Sequence, residues 1–282
     1  MRQQLAAAAA LAATALALQA GVASAQNAAP AVEKKPVRFI LVGDSTMANN
    51  SGYGDALCAR ISRGDTCINL ARGGRSSASF RAEGRWDEVQ GLLRGSAAYR
   101  ATYVLIQFGH NDQPGKPGRS TDLATEFPVN IARYAQEVKA LGGVPVLLTP
   151  LTRRTFKDGV LENNLQPWAD ATRKVAAQEK APLLDLNADS HAAVQAMGQD
   201  EADTLAMEPR PANYKAPAVL PGTPVAAGAA MANIEPAGAA KTSFDRTHLG
   251  AKGAALFARM VERELKAAIP EIAGEFKPEG QQ

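Results

Sequence analysis

The sequence has little histidine and little cysteine: three of the first and two of the second in 282 residues. Cys58 and Cys67, with no histidine near them, do not make a zinc site. Runs of Lys and Arg interleaved with aromatics are missing, so the footprint of a nucleic-acid binder is not there. The formal charge of +3 is spread among interspersed acidic and basic residues, and favours an acidic substrate only weakly. Beyond the N-terminus no segment is long and apolar enough to span a bilayer. What remains is a chain with 46% hydrophobic and 21% charged residues, which suits a globular protein with a core.

The N-terminus reads as a targeting segment. One charge at Arg2 precedes an Ala/Leu-rich run from Leu5 to Leu18, and Ala23-Ser24-Ala25 offers small residues for cleavage. The run is broken by Gln19 and Gly21 and is short for a membrane anchor. Residues 1–25 are therefore expected to be a signal peptide, 26–36 a flexible lead-in, and the product to be periplasmic or secreted, with no membrane attachment after cleavage. In an oxidising compartment Cys58 and Cys67 are expected to pair, the alternative being two buried thiols. Closing so small a loop would contribute roughly 2–3 kcal/mol on the chain-entropy model.

Apolar strands alternate with helices along the rest of the chain. Strands are expected at Val37–Val42, Cys67–Leu70, Thr102–Phe108, Val144–Thr149 and Pro182–Leu186. The clearest helix carries Phe127, Ile131, Tyr134, Val138 and Leu141 on one stripe and stops at Gly142-Gly143. Other helices are expected over 52–61, 86–93, 164–180, 188–197 and 251–268, the last with Ala255, Leu256, Met260, Leu265 and Ile269 inward. From Asp200 to Lys241 six prolines interrupt an Ala/Gly-rich run, read as a mobile insertion or a lid. The alternation implies an α/β fold with a parallel sheet, whose ligand site lies at the carboxyl ends of the strands.

Several breaks in regular structure fall on that rim. Ser45 follows the first strand at Gly43-Asp44-Ser45, as a nucleophile would. A serine needs a base, and the base needs an orienting group. His248 lies three residues after Asp245, so one short turn supplies both, although Asp-x-x-His alone is a weak signal. Donors for an oxyanion are available from the Ser45 N–H, from Gly74, and from the Asn111 amide. His110 suits a supporting hydrogen bond, and Arg75, Arg153 and Arg154 suit either substrate carboxylates or the solvated surface.

Together the blocks Gly43-Asp44-Ser45-Thr46-Met47, Gly74-Arg75-Ser76, Phe108-Gly109-His110-Asn111-Asp112, Thr149-Pro150-Leu151-Thr152-Arg153-Arg154 and Asp245-Arg246-Thr247-His248 resemble the SGNH (GDSL-type) hydrolases, and within them the rhamnogalacturonan acetylesterase family. The resemblance implies a three-layer αβα flavodoxin-like fold with a five-stranded parallel sheet. It extends over residues 37–282, apart from the Pro/Ala-rich insertion at about 200–242. It implies Ser45 as nucleophile, His248 as base, Asp245 as its orienter, and Ser45 N–H, Gly74 and Asn111 as oxyanion donors. The expected activity is removal of O-acetyl groups from a polysaccharide such as rhamnogalacturonan, with acetylxylan or another short acyl ester as the alternative. No metal or organic cofactor and a monomeric state are expected. A carbohydrate binder without catalysis would have no reason to keep all five residues.

Overall fold

The computed structural model describes residues 34–214 and 243–278. The expected leader, nearly all of the lead-in and residues 215–242 of the insertion lie outside the described residues. Strand β1 (Val37–Gly43) is buried at every position. Such an unbroken apolar run is what a strand covered on both faces requires. It is flanked by β2 (Thr66–Asn69) after helix α1 (Gly54–Cys58), and by β3 (Ala101–Gln107) after α2 (Ser79–Ala82) and α3 (Arg85–Arg94). The chain continues through α4 (Phe127–Ala140), β4 (Val144–Leu148), a hairpin of β5 (Phe156–Lys157) and β6 (Val160–Leu161), α5 (Gln166–Glu179), β7 (Leu183–Leu184), α6 (Leu186–Asp203) and α7 (Ala251–Ala268). The five-stranded sheet has the order β2-β1-β3-β4-β7, and every pairing in it is parallel.

Strand alternation divides the core in two. Phe39, Leu41, Tyr103, Leu105, Val146 and Leu148 pack with Leu57 of α1, Val194 of α6 and Phe257, Val261 and Leu265 of α7. Ile40, Val42, Val104, Ile106 and Leu147 face the other way, onto Trp86 and Val89 of α3, Ile131 and Tyr134 of α4, and Trp168 and Val175 of α5. Each face of the sheet therefore carries its own helices, and the three-layer αβα arrangement follows from period-two side chains meeting period-3.6 helices. Cys58 at the end of α1 and Cys67 in β2 form a disulfide, with Cα atoms 5.3 Å apart.

Four expectations change. Helix α6 does not stop near Met197; it kinks at Gly198 (φ 73°) and runs on to Asp203, which is buried. Strand β7 has only two residues, because Asp185 is drawn to Thr149 Oγ1 and the Arg173 guanidinium as the chain turns into α6. The loop after β4 contains the β5–β6 hairpin, turning at Asp158-Gly159 with positive φ at both (51° and 80°). That Asp-Gly pair was the available signal. The inner stripe of α7 runs through Gly253, Phe257, Met260, Val261 and Leu265, so Phe257 takes the place expected for Leu256.

Candidate active site

The first rim loop is fixed before any chemistry is asked of it. Asp44 Oδ1 accepts from the Thr46 N–H (2.9 Å) and the Thr46 hydroxyl (2.8 Å). Its carbonyl accepts from the Met47 and Ala48 N–H groups. Gln107, at the end of β3, donates to Thr46 Oγ1 (2.7 Å) and accepts from the Tyr53 hydroxyl (2.6 Å). Ser45 is thus carried on a turn whose two flanking residues are fully buried, while it is itself 8% exposed. A hydroxyl held this way keeps its position without its own side chain being used up in the fold.

The chain after β2 runs beside it. The Arg72 N–H donates to Gly43 O, extending the β1–β2 ladder, and a Cβ placed on Gly73 would lie 3.8 Å from Ser45 Cβ. Gly74 has φ +77°, a conformation in which an L side chain is strained. Asn111, on the loop after β3, donates from Nδ2 to Arg75 O (3.0 Å), which joins the second and third rim loops. Lys116 caps the same loop, donating to His110 O (2.6 Å) and lying 3.4 Å from Asn111 Oδ1.

Asp112 was missed by sequence reasoning, although it stands in the same Gly-His-Asn-Asp block. Its carboxylate receives the Ser77 N–H, the Ser77 hydroxyl (2.5 Å) and the Thr121 hydroxyl (3.0 Å), pinning the Gly74–Ser77 loop to the Asn111 loop. Burial pushes this carboxyl up to about 6 despite those donors. His110 is 2% exposed, with Nδ1 3.2 Å from Asp44 Oδ2, and burial pushes the imidazole down. It therefore packs beneath the rim as a neutral ring rather than on its surface.

The fourth part is the turn before α7. Asp245 Oδ1 accepts the backbone N–H groups of Thr247 and His248 (both 2.7 Å), and Oδ2 accepts from His248 Nδ1 (2.8 Å). Burial pushes the Asp245 carboxyl up, but the His248 ring and the two N–H donors outweigh it and hold it well below the usual carboxylate range. With Nδ1 engaged, Nε2 is the nitrogen left to face a reaction. The turn is stitched to the serine loop: Leu249 N–H donates to Ser51 O (2.9 Å), and Ser51 Oγ donates to Ser45 O (2.8 Å). The serine loop is thus tied to the Asp245–His248 turn, and the Gly74–Ser77 loop to the Asn111 loop.

Two of the three rim arginines are not the surface groups or substrate contacts expected of them. Arg154 is fully buried and donates to backbone carbonyls of the Asp245–His248 turn. Arg75 pairs with Glu83 and Gly73 O. Arg153 stays on the rim, with Asn164 Oδ1 as hydrogen-bond acceptor (2.7 Å). Among the described residues no group of three His, Cys, Asp or Glu side chains is placed to hold a metal ion, and no helix is long and apolar enough to cross a membrane.

A parallel sheet in this order, with a serine after its first strand and a hydrogen-bonded Asp–His pair before its last helix, defines an ester hydrolase of the SGNH type. Residues 41–256 match the GDSL-like lipase/acylhydrolase family, and the chain belongs to that family. It is a carboxylic ester hydrolase. It is 33% identical over 180 residues to the rhamnogalacturonan acetylesterase RhgT of Bacillus subtilis, an alignment covering 61% of this chain and 74% of the relative. The fold is shared with the Bacillus subtilis protein YxiM (TM-score 0.61, 24% identity), where the alignment covers 86% of this chain but only 58% of the other. It is shared also with the acetylxylan esterase Axe2 of Geobacillus stearothermophilus (TM-score 0.54, 16% identity), covering 82% of this chain and 96% of that one.

Proposed function

We propose that this protein is an exported serine esterase that removes O-acetyl groups from rhamnogalacturonan. The chemistry rests on the Asp245–His248 pair and its tie to the Ser45 loop. Ser45 Oγ attacks the acetyl carbonyl while His248 Nε2 takes its proton. The tetrahedral oxyanion is received by the Ser45 N–H, the Gly74 N–H and Asn111 Nδ2. His248 then returns the proton to the departing sugar oxygen, leaving an acetyl-enzyme. Water activated by the same imidazole releases acetate and restores Ser45.

The observation that carries the polymer is a trio of cations beside the oxyanion donors. They are Lys116, Arg119 and Arg153; burial, with the two arginines close by, brings the Lys116 ammonium down to about 8. None of the three forms an ion pair with a carboxylate among the described residues; their partners are carbonyl and amide oxygens. Cations with no carboxylate in direct contact, although Asp44 and Asp112 lie near Lys116, suit a substrate that brings its own, and rhamnogalacturonan alternates a neutral sugar with a uronate. The name of the relative RhgT points the same way.

Acetate release should be compared on acetylated rhamnogalacturonan and acetylated xylan. The uronate polymer should be preferred, and Lys116→Gln should narrow the preference mainly through KM. Equal or better turnover of the neutral xylan by the wild type would sink the assignment while leaving the esterase chemistry standing. Export is checked by N-terminal sequencing of the secreted product, which should begin at Gln26.

A further inference from the structure

One residue gathers the whole carbonyl side of the Asp245–His248 turn. The Arg154 backbone N–H donates to Arg246 O (2.9 Å). Its guanidinium donates to Asp245 O (3.2 Å), Thr247 O (3.3 Å) and His248 O (2.8 Å). All four carbonyls of the turn are therefore satisfied by a residue of a different loop, the one that follows β4. Asp245 binds the turn's N–H groups from one side while Arg154 binds its C=O groups from the other.

The turn is anchored a second time through its middle residue. Arg246 Nε and one terminal nitrogen donate to the two oxygens of Asp203 (2.9 and 3.1 Å) at the end of α6. Its guanidinium also lies over the Tyr214 and Phe244 rings. This second clamp holds the outside of the turn, whereas Arg154 is the contact that reaches its carbonyls from within.

We infer that Arg154 is a positioning residue for catalysis, a cation whose planar fork sets the angle at which His248 meets Ser45. The inference rests on the Ser45–His248–Asp245 reading of the site. Arg154 does not reach the nucleophile: its side chain is fully buried, and among the described residues its terminal nitrogens donate to the turn backbone alone. The geometry needs a guanidinium. Three acceptors spread over four residues match two terminal nitrogens in a plane, whereas an ammonium is a single point. Burial pushes the guanidinium down only to about 10, so the charge is retained at neutral pH. A cation in so enclosed a place could have been replaced by an apolar side chain were packing its whole purpose.

The test compares Arg154→Lys and Arg154→Gln with wild type in three readouts. The first is kcat and KM on a short acetyl ester. The second is thermal stability. The third is the low-field proton NMR signal of the His248 Nδ1–H shared with Asp245. Arg154→Gln should lower kcat about 10²-fold or more, since a displacement of about 1 Å suffices for that loss, with KM within about threefold. The NMR signal should broaden or vanish while the protein stays folded. Arg154→Lys, which keeps the charge and loses the fork, should recover only part of kcat.

Wild-type kcat and an unaltered NMR signal in a folded variant would overturn the inference. So would full recovery by lysine, which would leave only a charge effect. A drop in melting temperature with kcat per folded molecule unchanged would make Arg154 merely structural. Ser45→Ala assayed alongside keeps the two claims apart: if it stays active, the underlying site reading has failed; if it is dead while the Arg154 variants are normal, only this inference has.

Discussion

Asp245→Asn separates two tasks that one carboxylate performs. Asp245 Oδ1 holds the turn through two N–H groups, and Oδ2 holds the imidazole through Nδ1. An asparagine keeps a carbonyl oxygen for the first task and puts an NH2 where the second needs an acceptor. The turn should survive, because Arg154 and Asp203 still bind it from the other sides. The imidazole should not keep its tautomer. Facing a donor, Nδ1 becomes the acceptor, the proton moves to Nε2, and the nitrogen that should take the Ser45 proton already carries one. A wrong-tautomer defect of this kind costs about 10⁴ in kcat in a serine protease triad, and the same loss is expected here.

The assay is acetate release from a short ester at saturating substrate, together with the melting temperature at neutral pH. A folded Asp245→Asn enzyme within about tenfold of wild-type kcat would refute the orienting role. Stability against pH gives a second check. The folded-state pKa of Asp245 lies below its unfolded value, so its contribution is present above the unfolded carboxylate range and lost as pH falls through the folded value. Wild type should lose more stability than the variant on acidification below about pH 4.

Ser45→Ala should lower kcat by about 10⁴ or more; a retained rate on acetyl esters would remove the nucleophile. Asn111→Ala should cost about 10²–10³ in kcat, measured beside an unfolding curve, since loss of its bond to Arg75 O loosens the loop as well. Burial, with Asp189 beside it, pushes the Glu264 carboxyl on α7 up to about 8, and among the described residues neither oxygen has a hydrogen-bond partner. Its folded-state pKa thus exceeds the unfolded one, the native state holds the extra proton, and stability falls as pH rises from about 4 toward 8. Glu264→Gln should therefore melt close to wild type at pH 5 and above it at pH 8.5; an equal gap at both would reject this account.

What could be read in advance, and what could not, follows from how far each feature depends on its own stretch of chain. The serine turn, the Asn111 loop and the stripe of α4 are local: a glycine break or a helical period announces them, and the sheet order then brings the two loops to one rim and the stripe onto the sheet face. Arg154 is the opposite case. It sits beside Arg153 on an irregular loop, where no period says which of two neighbours turns inward, and its partners lie about 90 residues away. Asp203 was hidden for a related reason: the Gly198 kink breaks the helical pattern just before it, so the end of α6 reads as the start of the insertion. Glu264 was hidden for another reason. It falls beside the buried positions 253, 257, 260, 261 and 265 of α7, at three and four residues from 261 and 260, but a charged residue on a helix carries no sign in the sequence that it is drawn inward. Among the described residues no donor reaches either oxygen, Asp189 and Asp185 add like charge nearby, and the proton is retained because ionising the buried carboxyl there costs more than leaving it neutral.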